Sequence, residues 1–202
     1  MITIEPPSRC PADVLTLSKA GLARFVNRAR AAVGIEGEVH VLLADDKTLR
    51  RLNRQFRGKD EATDVLSFPA AESGAGVAGD LAISLETAGR QAKQYGHSLR
   101  DEVRVLLLHG VLHVAGFDHE TDRGEMATRE AELRRELGLR VGLIGRSGAR
   151  RAKTVGKKVR AAVVMRSTSG SFDSGSRENA RTSAQDDTFK RVVDGAKRRG
   201  RR

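Results

Sequence analysis

The chain has 202 residues, enough for one domain of ordinary size and a remainder, and its net charge of +11 sits in that remainder: residues 1–145 carry 20 basic against 21 acidic side chains, residues 146–202 carry 17 against 5. A single cysteine, Cys10, excludes an intrachain disulfide and fits a reducing compartment. Residues 1–7 lack the charged lead and apolar core of a secretory signal, and no apolar run nears the roughly 20 residues of a membrane helix, so a soluble cytoplasmic protein is expected.

Residues 2–5 alternate and stop at Pro6 and Pro7, which predicts a short edge strand. Over 13–32, Val14, Leu17, Leu22, Phe25, Val26 and Ala29 recur at helical spacing. Val39 to Leu43 reads as a strand. Asp45 and Asp46 then open a short helix with Leu49 and Leu52 inward and Arg50, Arg51 and Arg54 outward. Val65 to Phe68 predicts another strand, ended by Pro69; a flexible loop follows over 70–79, then a strand over 79–85 and a helix over 86–95. Ser98 is expected to cap the next helix, with Asp101 three residues on, as in a capping box. That helix is apolar nearly all round, through Val103, Val105, Leu106, Leu107, Leu108, Val111 and Leu112, and is expected to be the central buried one. A charged helix over 123–137 closes the series, with Met126, Leu133 and Leu137 facing in.

These elements predict an α+β domain over residues 1–145, a small mixed sheet of about four strands with helices packed on it. With six Phe, one Tyr and no Trp, its core must rest on Leu, Val, Ile and Ala. Residues 146–202 hold too few apolar side chains to offset the entropy of ordering, and read as a basic, disordered C-terminal tail. Two readings of that tail stand: an electrostatic arm that adds affinity for RNA by counterion release, or a solvated appendage.

Three of the five histidines fall between positions 109 and 119. On a helix His109 and His113, four apart, lie about 40° apart around the axis and about 6 Å apart along it. Both imidazoles can then reach one zinc ion at about 2.0–2.1 Å. Gly116 is where the helix can stop, since glycine enters the left-handed region without strain, and the reversal returns His119 toward the other two. An isolated pair at this spacing reads as satisfied core histidines; the third histidine and the interposed glycine move the reading to a metal site. Three neutral ligands and an open fourth position are the layout of a catalytic zinc, although nickel, copper and cobalt accept the same ligands. The undiminished +2 charge acidifies a water in the open position toward a pKa of about 7 and stabilises charge building on phosphorus, so hydrolysis is the expected reaction class. The spacing is also similar to that of metzincin proteases, which carry a Glu after the first histidine as general base. Here that place is Gly110, and spacing puts neither Asp118 nor Glu120 over the open position, so peptide hydrolysis is disfavoured.

A second block, Asn53 through Arg57, Gly58, Lys59 and Asp60 to Thr63, Asp64, Val65, Leu66, Ser67, Phe68 and Pro69, is dense in cations, and an arginine beside a metal suits a phosphate. Together with Gly79 to Ser84 and the motif from His109 to His119, it resembles the YbeY family of bacterial endoribonucleases over about residues 35–140. The resemblance implies a zinc-dependent, single-strand-specific endoribonuclease acting in 16S rRNA 3′-end maturation and ribosome quality control. It implies one Zn2+ on His109, His113 and His119, and Arg57 as the catalytic basic residue that meets phosphate; Lys59 and Asp80 are added as substrate-binding candidates. The partners it implies are rRNA and the small ribosomal subunit, with ribosomal or assembly proteins, and neither membrane nor DNA. Two competing readings are an assembly factor that binds the small subunit with a structural metal, and a metzincin-like protease. The resemblance assigns nothing to the tail.

Overall fold

Capping side chains set the starts of four of the five described α-helices in this computed structural model, which describes residues 1–5, 14, 17–70 and 76–139 together with the backbone of 161–163. The order is β1 (Ile2–Ile4), α1 (Lys19–Val33), β2 (Glu38–Ala44), α2 (Asp46–Arg57), β3 (Val65–Pro69), β4 (Val77–Ser84), α3 (Leu85–Tyr95), α4 (Leu99–Val114), α5 (Glu125–Glu136) and β5 (Ala161–Val163). The α1 helix starts at Lys19 rather than at 13, because Ser18 is extended and its hydroxyl accepts the Gly21 amide at 3.1 Å. Asp45 caps α2 as expected, accepting from the Thr48 amide at 2.8 Å. The β4 strand begins at Val77, inside the expected loop, and ends at Ser84, whose hydroxyl caps α3 through the Thr87 amide at 3.1 Å. The α5 helix starts at Glu125 rather than 123, because Gly124 at φ 106 leaves the helical region just before it.

The sheet runs β1-β2-β4-β3-β5, with β1, β2 and β4 parallel, β3 antiparallel to β4, and β5 parallel to β3. The first four are the mixed sheet that the sequence predicts. The three residues of β5 come from the segment read as tail; the rest of 146–202, and residues 71–75 of the 70–79 loop, lie outside the described residues.

Register separates the two faces. Val39, Val41 and Leu43 of β2, Leu81 and Ile83 of β4 and Val65 of β3 point to one face and join one apolar core with α1, α4 and α5. His40, Leu42, Asp80, Ala82, Leu66 and Phe68 point to the other, where α2 packs: Leu49 and Leu52 are fully buried, and Phe56 meets Phe68 edge-on with centroids 5.1 Å apart. Among the described residues no helix is long and apolar enough to cross a membrane.

The α4 helix is the central one. Val103, Leu107, Leu108, Val111 and Leu112 are wholly buried, and burying each such side chain is worth about 1.5–3 kcal/mol. Its approach to the sheet is closest at two glycines. A Cβ at Gly110 would stand 2.8 Å from Leu81 Cδ2 and 3.3 Å from Ser67 Oγ, and one at Gly79 would stand 2.6 Å from the Phe68 carbonyl oxygen and 3.1 Å from Val114 Cγ1. No side chain fits at either place without moving core or backbone, so α4 is held rigidly, as a metal site requires.

Candidate metal centre

The three histidines converge. Each offers a ring nitrogen, and these nitrogens all lie within 4.8 Å of one another. Ring centroids stand 4.8 Å apart for His109 and His113, 5.3 Å for His109 and His119, and 5.2 Å for His113 and His119. Two come from one face of α4. The third arrives by the turn that follows: Gly116 is left-handed at φ 92, its amide donates to the His113 carbonyl at 3.0 Å, and the Phe117 amide reaches the Leu112 carbonyl at 3.1 Å. Asp118 then shapes the return, accepting from the Glu120 amide at 3.0 Å and the Thr121 hydroxyl at 3.1 Å. Asp122 completes the loop by accepting from the Gly124 and Met126 amides at 2.9 and 2.7 Å, and those bonds hold its carboxyl below the usual range.

Partners outside the cluster decide which nitrogens face in. His113 Nδ1 lies 2.8 Å from the Phe117 carbonyl oxygen, and His109 Nδ1 lies 3.0 Å from Glu130 Oε2. Both partners only accept, so each Nδ1 must be the donor, and in the neutral rings both Nε2 lone pairs are bare. Those two Nε2 atoms stand 3.2 Å apart. Two ligands at about 2.0–2.1 Å from a tetrahedral ion are about 3.3–3.4 Å from each other, so the spacing fits a shared metal. The donor set is three imidazoles, two of them oriented from outside, and it suits a borderline divalent cation such as zinc.

Charge follows the same logic. Burial, reinforced by His109 and His119 beside it, lowers His113 to about 3, so this ring stays neutral and able to ligate. Burial alone would raise Glu130, but its hydrogen bond and charge pairing with His109, and Arg134 against its other oxygen, outweigh that and hold it at about 2. Because the folded-state value of His113 lies below the ordinary 6.5, the unfolded chain holds the extra proton between those values, and stability falls with pH across that window. The metal-free protein is therefore expected to lose about 2 kcal/mol between pH 7 and pH 5. Urea melts of chelator-treated protein at both pH values measure this, and an identical loss in His113→Asn would assign it elsewhere.

The remaining sequence-predicted residues come from elements other than those that carry the histidines. Arg57 is the last residue of α2 and Lys59 follows Gly58 in the loop to β3; both are half-buried, and neither makes an ion pair among the described residues. The α2 helix lies on the sheet face opposite α4. Asp80 points to that same far face, where it lies 3.4 Å from His40 Nδ1. Other members of the cation-rich block organise the loop: Asn53 Nδ2 donates to the Glu61 carbonyl at 2.8 Å, and Asp64 accepts from the Val65 amide at 3.0 Å and from Gln91 at 3.0 Å.

Sequence reasoning missed Glu130. It lies on the inward stripe of α5, four residues after Met126 and three before Leu133, both buried. A carboxylate at an apolar-stripe position is the signal that marks it.

The comparisons agree with this geometry. A family model described as "Endoribonuclease YbeY" matches residues 12–138. A protein of that name from Koribacter versatilis is 51% identical over 144 residues, 71% of this chain and 93% of its own length. Its namesake from Solibacter usitatus is 50% identical over 138 residues, covering 68% of this chain and 90% of that one. A third, from Nautilia profundicola, is 47% identical over 110 residues, 54% of this chain and 79% of its own. The matched span takes in all three histidines, the loop that returns His119 and the Glu130 that braces His109, and on that extent the chain belongs to the YbeY endoribonuclease family.

Proposed function

We propose that the chain is a zinc-dependent endoribonuclease that hydrolyses phosphodiester bonds in single-stranded RNA, with one Zn2+ on His109, His113 and His119. The observation that carries this is the pair of inward Nε2 atoms 3.2 Å apart, each oriented by an acceptor on its outer nitrogen. A bound divalent cation supplies charge stabilisation at a phosphoryl oxygen and acidifies a water. The chain's own residues do the rest. Glu130 and the Phe117 carbonyl hold two rings in the ligating tautomer. Arg57, whose guanidinium has no carboxylate partner among the described residues, offers a planar fork to the phosphate oxygens. A metzincin-type general base has no room, because the position after His109 is pressed on Leu81 and Ser67.

We extend the proposal to the process that the family resemblance implies: maturation of the 16S rRNA 3′ end and ribosome quality control, in the cytoplasm, on rRNA within the small subunit and beside ribosomal or assembly proteins. The test is cleavage of a single-stranded RNA by protein purified without a polyhistidine tag. Chelation is expected to lower the rate at least a hundredfold, one equivalent of zinc to restore it, and a 2′-deoxy substrate to distinguish attack by water from attack by the 2′-hydroxyl. Full activity after metal removal, checked by elemental analysis, refutes the reading. Cells depleted of the protein are expected to accumulate small-subunit rRNA with unprocessed 3′ ends.

A further inference from the structure

Across residues 1–145 basic and acidic side chains balance, 20 against 21, yet the outer face of α2 carries one sign only. Lys47, Arg50, Arg51, Arg54 and Arg57 recur at spacings of three and four, within an arc of about 120° around the helix axis. The opposite arc buries Leu49, Leu52 and Asn53. Like charges at these spacings disfavour the helix that carries them. The α5 helix avoids this by alternating sign, with Arg129 paired to Glu132 at 3.1 Å and Arg134 to Glu130. In α2 Arg50 is held by both oxygens of Asp60 at 2.8 Å, and Arg54 feels the same carboxylate only at longer range. Asp46, at the start of the helix, is occupied by Ser84, Thr87 and Arg90. Lys47, Arg51, Arg54 and Arg57 make no ion pair among the described residues, and the first three are exposed.

We propose that this stripe is a docking track for the backbone of single-stranded RNA, continuing outward from the phosphate contact assigned above to Arg57 and independent of base sequence; the proposal rests on the nuclease reading above. The chemistry favours RNA over an acidic protein. The cations are mostly arginines, whose forks pair with phosphate oxygens. The arc holds no apolar or aromatic side chain, since Phe56 is turned to Phe68, so it lacks the desolvated anchor that protein interfaces are built on. The track runs about 15 Å along the helix. At its C-terminal end the chain passes through Gly58 and Lys59 into β3, whose Ser67 lies against α4 at Gly110. RNA held on α2 would be the flank of a strand whose scissile phosphate meets Arg57 at the end of the track.

The experiment compares Arg51→Glu/Arg54→Glu with a control of equal charge change on exposed α1 positions, Arg24→Glu/Arg28→Glu. Affinity for a fluorescent 20-nucleotide RNA is measured by anisotropy across a salt series. The α2 variant is expected to bind about tenfold more weakly near 0.1 M salt, with its log–log salt slope shallower by about 1.4, as for two lost single-strand phosphate contacts. In cleavage the loss should fall on KM, with kcat changed less than twofold. The control is expected to move affinity less than twofold. Equal losses in both pairs would mean that net charge alone acts, and would overturn the proposal. So would unchanged RNA affinity in the α2 variant, including the case in which it loses binding to purified small ribosomal subunits, which would make the face a protein contact. Wild-type protein that fails to cut the 20-mer with zinc present would sink the nuclease reading itself, a result distinguishable from either.

Discussion

Replacing His113 by alanine is expected to empty the metal centre and to lower RNA cleavage on the order of a thousandfold, the loss of about 4 kcal/mol of transition-state stabilisation. His113 is the most constrained of the three ligands. It is completely buried, its outer nitrogen is tied to the Phe117 carbonyl at 2.8 Å, and its inner nitrogen faces His109 at 3.2 Å. Without it, one ligand on α4 and one on the loop remain, too few to hold the ion. The fold should survive, since the ring is neutral in the folded state and its removal leaves no buried charge. Elemental analysis, circular dichroism and cleavage of one RNA preparation report on metal, fold and activity together. A variant that keeps one equivalent of zinc would show that the histidines are not the ligands. A folded variant that loses zinc yet cuts RNA at the wild-type rate would show that the metal takes no part in cleavage.

Removing Glu130 is expected to weaken zinc binding by about 10–100-fold, although it never touches the metal. Its carboxylate accepts the hydrogen bond that His109 Nδ1–H donates at 3.0 Å, which fixes that ring's tautomer and makes its inner nitrogen a better ligand. Two substitutions separate charge from geometry. Glu130→Gln keeps an acceptor for His109 but not the charge, so the zinc Kd should rise toward the lower end of that range. Glu130→Ala also removes the carboxylate that pairs with the buried Arg134 and should destabilise the domain by about 1–3 kcal/mol. Competition with a chromophoric chelator gives Kd, and urea melts give stability. A zinc affinity unchanged in both variants would show that His109 orients without help.

Part of the site is legible in the sequence alone. The spacing from His109 to His119 predicts a metal cluster because its geometry is local: rise and turn per residue set His109 over His113, and Gly116 at φ 92 makes the reversal. Asp45 and Ser98 mark their helix starts for the same reason, since a cap bonds within a few residues of itself. Spacing places the start of α1 too early, because Val14 and Leu17 continue the helical pattern although Ser18 caps the helix after them. Periodicity cannot tell a buried approach segment from the helix it leads into.

What the amino-acid order determined by itself is whatever one element builds alone: the two ligands on one helix face, the turn that returns the third, and the one-signed outer face of α2. Packing decided everything that joins distant segments. It brought Glu130 across 21 residues to His109, set Asp80 beside His40 on the far face of the sheet, and left Gly110 no room for a side chain. The physical reason is that bond geometry propagates over only a few residues, whereas a contact between elements depends on how whole faces bury against one another.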